Sequence, residues 1–463
     1  MSAVLVVDLD GTLLRTDAAW ETLLELVRCR PWRLLLLPLW LLRGRSYAKL
    51  RLAQEASLDV RSLPYDEELL QWLKLERQRG RRLILATAAA APIAHAVAEH
   101  LRIFDAVLCS NSEQNVRGTQ KLQALRALLQ GQPFEYVGNS PVDGPLWRAA
   151  ARAHVVGPRW LARWVQQRAS LGRHFHRTVR LRDMVALLRV HQWVKNVLVF
   201  VPLVLAHRME LSLWGQAAAA ALALSLWASA LYVWNDLLDL PADRAHPRKR
   251  QRPIASGRIP IWLALSVIPF LLGGGWGIAL HLPEGFQLAL LGYGAGSAAY
   301  SLWLKRLALV DVLMLSSLYT LRVLAGGWAT GVPLSGWLLT FSVFLFVSLG
   351  FLKRYVELHT MQPDERRGYR RGDERLLYSF GSASGYLAVL VLLLYLNSPD
   401  VLRQYSHPRW LWLSSPLLLY WIAYLWLRAH RREMSDDPVV FVLRDRISYA
   451  IAAAIVVVLL LAL

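Results

Sequence analysis

Cysteine is almost missing from this chain of 463 residues: Cys29 and Cys109 are the only two, and they lie far apart. A fold stapled by a disulfide framework is therefore excluded. Acidic residues are scarce beside basic ones, 33 Asp+Glu against 53 Lys+Arg, which leaves a net charge of +20. The low apolar content of a disordered chain is absent too, because 55% of residues are hydrophobic and 20 are Trp. Such a basic excess suits either nucleic acid or a membrane surface. No basic stripe interleaved with aromatics and no nucleic-acid motif is found, so nucleic acid is not expected as a partner. The first apolar run, Val4-Leu5-Val6-Val7, ends at Asp8 after four residues and is too short for a signal peptide.

The apolar residues are unevenly spread. Up to about Arg182 the sequence reads as soluble α/β. Beyond it, nine apolar segments recur at roughly 194–210, 213–236, 260–282, 285–303, 308–329, 334–352, 383–399, 408–427 and 446–463. Most approach the ~20 residues that cross ~30 Å of hydrocarbon as a helix. The connections at 237–259, 304–307, 353–382 and 428–445 are rich in Lys and Arg, whereas the opposite ones carry only Arg208, Arg403 and Arg409. By the positive-inside rule, the N-terminal part is cytoplasmic, the C-terminus lies outside, and the membrane is a bacterial-type plasma membrane crossed many times.

The first strand leads into Asp8-Leu9-Asp10-Gly11-Thr12. Two carboxylates at the carboxyl end of a buried strand sit where open α/β sheets bind ligands. Asp8 is placed to attack phosphorus, and Asp10 to protonate the leaving oxygen and then activate water. A second strand, Leu83-Ile84-Leu85-Ala86, ends in Thr87. Lys121 opens a helical pattern, and Phe134-Glu135-Tyr136-Val137 is a strand that enters a polar loop reaching Asp143. This order resembles the haloacid dehalogenase-like superfamily over roughly residues 1–160. The resemblance implies a Rossmann-like fold with a helical cap over 18–80. It implies Asp8 as nucleophile, Asp10 as acid and base, and Thr87 and Lys121 as phosphate ligands. Mg²⁺ would be held by Asp8, the Asp10 carbonyl and Asp143. One departure is Gly138-Asn139, where the family often has Gly-Asp; a neutral oxygen there would weaken a metal site.

Inside the cap, Pro31 to Leu42 is apolar and flanked by Arg28, Arg30, Arg43 and Arg45. Twelve residues cannot span a bilayer. Trp and Arg flanks suit a segment lying in the membrane interface, and a buried cap helix is the other reading.

The second long apolar segment ends in Asn235-Asp236-Leu237-Leu238-Asp239-Leu240-Pro241-Ala242-Asp243. On a helix, Asn235, Asp239 and Asp243 share a face, with Pro241 as a source of distortion. Clustered carboxylates at a membrane boundary need a cation, and hard oxygen ligands select Mg²⁺ shared with phosphates. Lys249 and Arg252 follow, suited to phosphate oxygens. Together with Arg248-Lys249-Arg250-Gln251-Arg252-Pro253-Ile254, this motif resembles the UbiA-type superfamily of intramembrane prenyltransferases over about residues 185–463. Domains at 1–175 and 185–463 are expected, the second an all-α membrane domain of nine transmembrane helices.

The usual second DxxxD of aromatic prenyltransferases is absent. Instead there are Val190-His191-Gln192-Trp193-Val194-Lys195-Asn196, Lys305, Asp311, Arg322 and Lys353-Arg354-Tyr355-Val356-Glu357. These resemble the decaprenyl-phosphate phosphoribosyltransferase branch. That branch moves 5-phosphoribose from phosphoribosyl diphosphate to a polyprenyl phosphate. The resemblance implies catalytic and metal roles for Asp236, Asp239 and Asp243 with Asn235. It implies substrate roles for Lys195, Asn235, Lys249, Arg252, Lys305, Asp311, Lys353, Arg354 and Glu357, with Asp311 as either a ribose ligand or a second metal ligand. Cations beyond the diphosphate's needs fit a 5-phosphate donor and a lipid phosphate acceptor. Arg322 lies deeper, either functional or a partner to another buried polar group. The polar pieces Glu433-Met434-Ser435-Asp436-Asp437-Pro438 and Arg444-Asp445-Arg446 of the last inner loop are expected to cover the mouth of the site. A prenyl transfer to an aromatic acceptor with a degenerate N-terminal domain stays open, as do a non-enzymatic lipid-binding role and a homo-oligomer.

Overall fold

The computed structural model describes residues 3–110, 116–360, 368–399, 401, 405–434, 438–442 and 444–463. Residues 435–437, part of the polar stretch expected at the site mouth, lie outside this range. The chain forms two compact units, Met1–Arg189 with Tyr232–Pro269, and Val190–Leu231 with Phe270–Leu463.

The first unit is built on a six-stranded parallel sheet in the order β3-β2-β1-β4-β5-β6. The strands are β1 (Val4–Val7), β2 (Leu83–Ala90), β3 (Ala106–Ser110), β4 (Phe134–Gly138), β5 (Arg152–Gly157) and β6 (Leu171–His176). Both faces of the central strands are buried, as their unbroken apolar runs require. Leu5, Val7, Leu83 and Leu85 enter one core layer, while Val4, Val6, Ile84 and Tyr136 enter the other. Val6 aligns with Ile84 on one side and Tyr136 on the other. That register brings the carboxyl ends of β1, β2 and β4 to one edge, at the point where strand order reverses.

Residues 18–80 fold mainly as helices, Ala18–Cys29, Pro31–Leu36 continuing into Leu37–Leu42, Arg45–Glu55 and Glu67–Gln78. Asp17 and Asp66 start the first and last, accepting from the Ala19 and Leu69 amides at 2.8 and 3.1 Å. The segment 232–269 belongs to the same unit by its packing. Leu24 shares a buried cluster with Val233, Leu237, Ile254 and Ile261.

In the second unit, helices pack through small residues. A Cβ at Gly326 would run into the Val199 carbonyl, and Gly381 lies against the Trp426 ring. Among the described residues, six helices are long and apolar enough to cross a membrane: Leu211–Leu238, Ile261–Ala279, Val310–Thr330, Gly336–His359, Glu374–Leu396 and Pro408–His430. A broken pair, Leu181–Leu188 and Val190–Leu205, makes a seventh if counted as one span. Of the other expected spans, Glu284–Leu302 is a helix of 19 residues and Arg446–Ala462 one of 17. The chain is thus a multi-pass membrane protein with an α/β domain and a helical membrane domain.

Candidate functional site

At the carboxyl edge of the sheet, β1 delivers Asp8 and the turn after it delivers Asp10. The turn needs Gly11, whose φ is +70° and whose missing Cβ leaves room for the Asn139 side chain. Lys121 opens the helix Thr119–Leu129 and reaches into the sheet edge, only 3% exposed. Its Nζ donates to Asp8 Oδ1 at 2.8 Å and to the Tyr136 hydroxyl at 3.1 Å, and lies 4.0 Å from Asp143. Tyr136 in turn donates to Asp143 at 3.0 Å, and Thr12 donates to the other Asp8 oxygen at 3.3 Å. The structure therefore brings Asp8, Lys121 and Asp143 together. It adds Thr12 and Tyr136, which were hidden inside apolar or turn-like patterns.

Asp10 turns the other way and accepts from the Ala18 amide at 2.8 Å. Burial, reinforced by the charge of Asp17, pushes Asp10 up to about 8. Burial and the Asp8 charge likewise push Asp143 up to about 6. Burial alone would lower Lys121, but Asp8 and Asp143 outweigh it and the ammonium is raised. Thr87 is fully buried and its hydroxyl accepts from the Ala89 amide at 3.0 Å. Lys49 comes from the cap and donates to the Ala88 carbonyl at 3.4 Å. It also acts electrostatically on Asp10. Arg177 donates to the carbonyls of Gly11 and Thr12 and pairs with Asp66, tying the turn after β1 to the start of the helix Glu67–Gln78. Neither Lys49 nor Arg177 has a motif around it to announce it.

The same unit carries the acidic motif. The helix Leu211–Leu238 stops just before Asp239, and Leu240–Ala245 starts after it. The Asp243 amide still donates to the Asp239 carbonyl at 2.9 Å, so the helical path is bent rather than lost at Pro241. Asn235 donates to Asp239 at 3.0 Å. Asp236 and Asp243 share Arg252, at 3.0 and 2.6 Å, and Arg189 also pairs with Asp236. Burial holds Asp243 above the usual carboxylate range although Arg252 pulls it down. Lys249 is half-buried and acts electrostatically on both acids. Arg189 carries no local sign of this role, because its partner Asp236 is 47 residues away. One residue past the motif, Arg244 grips Glu21 of the helix Ala18–Cys29 with two nitrogens, at 2.6 and 3.0 Å.

In the second unit, Asp311 is fully buried. It accepts from Arg354 Nε at 2.5 Å and from the Tyr369 hydroxyl at 2.6 Å. Arg354 also donates to the Tyr300 hydroxyl at 2.9 Å and pairs with Glu357. Arg322 is structural in its contacts, donating to Asn196 at 2.9 Å, the Leu318 carbonyl at 2.7 Å and the Tyr293 hydroxyl at 3.1 Å. The Lys195 ammonium lies over the Tyr319 ring, 5.8 Å from its centroid. Lys305 sits in the turn Leu304–Arg306, and Lys353 is half-buried beside Arg354.

Two donor sets suit Mg²⁺ in their chemistry, being all hard oxygen. The first is Asp8, Asp143 and the Asp10 carbonyl, where a divalent cation would relieve two buried acids that are costly to ionise together. The second is Asn235, Asp236, Asp239 and Asp243, here paired internally and to arginine. Among the described residues, no three His, Cys, Asp or Glu side chains converge as a preformed metal site.

Residues 196–461 match the model of the UbiA prenyltransferase family, and residues 5–148 match that of the haloacid dehalogenase-like hydrolases. The chain is 37% identical to an uncharacterized protein, y4nM, of Sinorhizobium fredii, over 97% of this chain and 89% of that one. It is 41% identical to decaprenyl-phosphate phosphoribosyltransferase of Mycobacterium tuberculosis over 187 residues, 38% of this chain and 60% of that protein. Among solved structures, a UbiA homolog from Archaeoglobus fulgidus bound to GPP and Mg²⁺ aligns with a TM-score of 0.47 at 18% identity. It covers 60% of this chain and 99% of its own.

Proposed function

This chain belongs to the UbiA prenyltransferase family and is a membrane transferase with a haloacid dehalogenase-like domain at its N-terminus; from that premise we propose that it transfers 5-phosphoribose from phosphoribosyl diphosphate to a polyprenyl phosphate. The C1–O bond to diphosphate breaks, an oxygen of the lipid phosphate bonds to C1, and diphosphate leaves. The observation that carries the reading is the buried Asp311–Arg354–Glu357 cluster, a fixed guanidinium in a chain without the second DxxxD of aromatic prenyltransferases. Its likeness to the mycobacterial phosphoribosyltransferase supports the same branch.

In this reading the membrane domain runs over 185–463 with nine spans, the N-terminal domain over 1–175, and both faces of chemistry are cytoplasmic in a bacterial-type plasma membrane. Asp236, Asp239 and Asp243 with Asn235 would hold Mg²⁺, which when bound neutralises the departing diphosphate. Lys249 and Arg252 take phosphate oxygens, Arg252 moving from carboxylate to phosphate as a bidentate donor. Asp311 and Glu357 fit ribose hydroxyls. Lys195, Lys305, Lys353 and Arg354 fit the 5-phosphate and the lipid phosphate.

The N-terminal domain then removes the 5-phosphate. Asp8 attacks phosphorus and the ester oxygen leaves with the proton of Asp10. Asp10, now a base, takes a proton from the water that releases phosphate. Thr87 and Lys121 bind the phosphate, and Mg²⁺ would sit on Asp8, the Asp10 carbonyl and Asp143. Asp239→Ala should abolish lipid modification. Asp8→Asn should leave the lipid carrying phosphoribose, with phosphate release lost. Loss of neither step in Asp8→Asn would mean the domain acts on another substrate or none.

A further inference from the structure

The cap segment 31–42 has two apolar faces and only one is covered. Leu34, Leu37 and Trp40 pack with Leu26, Ala48 and Leu52. The other face presents Trp32, Leu35, Leu36, Leu39 and Leu42, of which Trp32 is 63%, Leu35 79% and Leu42 84% exposed. A water-facing cap helix would carry polar residues there, and contiguous exposed apolar side chains on one face mark a binding surface. Arg28, Arg30, Arg33 and Arg43 frame the patch. Arg28 pairs with Glu25, and Arg30 and Arg33 share Glu55, so the frame keeps a positive excess. The same unit includes Tyr232–Pro269, which holds ends of the candidate spans Leu211–Leu238 and Ile261–Ala279, so a bilayer is tethered to it.

We propose that this face is a membrane-surface anchor: Trp32, Leu35, Leu36, Leu39 and Leu42 enter the headgroup and upper acyl region of an anionic bilayer, with the arginines on lipid phosphates. Trp and arginine in this arrangement are what an interfacial segment uses, and each basic residue near an anionic surface adds to the attraction. The anchor keeps the cap at the lipid surface, where a lipid-borne phosphomonoester would be presented.

The test uses the full chain in nanodiscs, with Cys29→Ser and Cys109→Ser and one new cysteine at a time, Leu35→Cys or Leu39→Cys, carrying an environment-sensitive fluorophore. Leu75→Cys, at an exposed position on the helix Glu67–Gln78, is the aqueous control. Probes at 35 and 39 should be quenched by brominated acyl chains and shielded from iodide, more so with anionic than with zwitterionic lipid, and the control should show the reverse. Iodide access equal to the control would overturn the proposal. Shielding from both quenchers would also overturn it, because protein would then cover the face. These readouts are independent of catalysis, so they stand or fall separately from the proposed reaction. In a second variant, Leu35→Glu with Leu39→Glu, a probe at Leu42→Cys should become open to iodide. Turnover of a water-soluble phosphomonoester should stay unchanged.

Discussion

Replacing Lys121 with Met strips the ammonium that donates to Asp8 at 2.8 Å at the carboxyl edge of the sheet. Lys121, Asp8 and Asp143 are 3%, 7% and 5% exposed, so water cannot replace the lost charge. Removing one partner of a buried pair costs about 3–5 kcal/mol, because the remaining charge is left uncompensated. At about 1.4 kcal/mol per tenfold, the opening of β1 and β4 should become roughly 150- to 4,000-fold more frequent. Hydrogen exchange by mass spectrometry on peptides covering 4–7 and 134–138, in magnesium-free buffer, reads this directly. The pH dependence has a definite sign. Asp143 already titrates near 6, above its unfolded value of 3.8, so its contribution to stability is full below 3.8 and is lost as pH rises through 6. Without Lys121 that loss deepens, so the variant should regain protection on acidification from neutral pH to below 6. Mg²⁺ should also restore it, by about 2.7 kcal/mol at a hundredfold excess over its dissociation constant. Exchange unchanged from wild type, or insensitive to both acid and Mg²⁺, would refute the claim that Lys121 is the counter-charge of this acid pair.

Phosphate release should fall as pH rises through about 8, where Asp10 loses the proton it donates, and a profile flat across that value would remove Asp10 from the acid role. Glu21→Ala should loosen the segment 240–256 by about 3–5 kcal/mol in hydrogen exchange, since it strands the buried Arg244; unchanged protection would show the pair to be idle. Arg354→Gln should lower the thermal stability of the detergent-solubilised protein and abolish lipid modification. Adding Asp311→Asn should recover stability but not transfer, whereas a double variant no more stable than Arg354→Gln would contradict their pairing.

What could be read along the chain was whatever local pattern determines. The all-apolar run Val4–Val7 with its DxDGT turn marks a buried parallel strand and a carboxylate edge, and the apolar lengths mark membrane helices. The spacing of Asn235, Asp236, Asp239 and Asp243 announces an acidic site by itself. Long-range partners were not legible. Tyr136 looks like any strand aromatic until Lys121 and Asp143 are placed beside its hydroxyl, and Arg189 is 47 residues from the Asp236 it holds. Tyr369 likewise finds Asp311 only through folding. Arg322 was ambiguous because cost in hydrocarbon says that a buried cation needs partners, not which ones; Asn196 and Tyr293 supply them.

Phosphoribosyl transfer is read out by incubating the purified protein with Mg²⁺, phosphoribosyl diphosphate and a polyprenyl phosphate and weighing the lipid by mass spectrometry. The lipid should be heavier by ribose, with free phosphate, in the wild type, and heavier by phosphoribose in Asp8→Asn. An unchanged lipid, together with transfer of a prenyl group from a polyprenyl diphosphate to an aromatic acid, would contradict phosphoribosyl transfer.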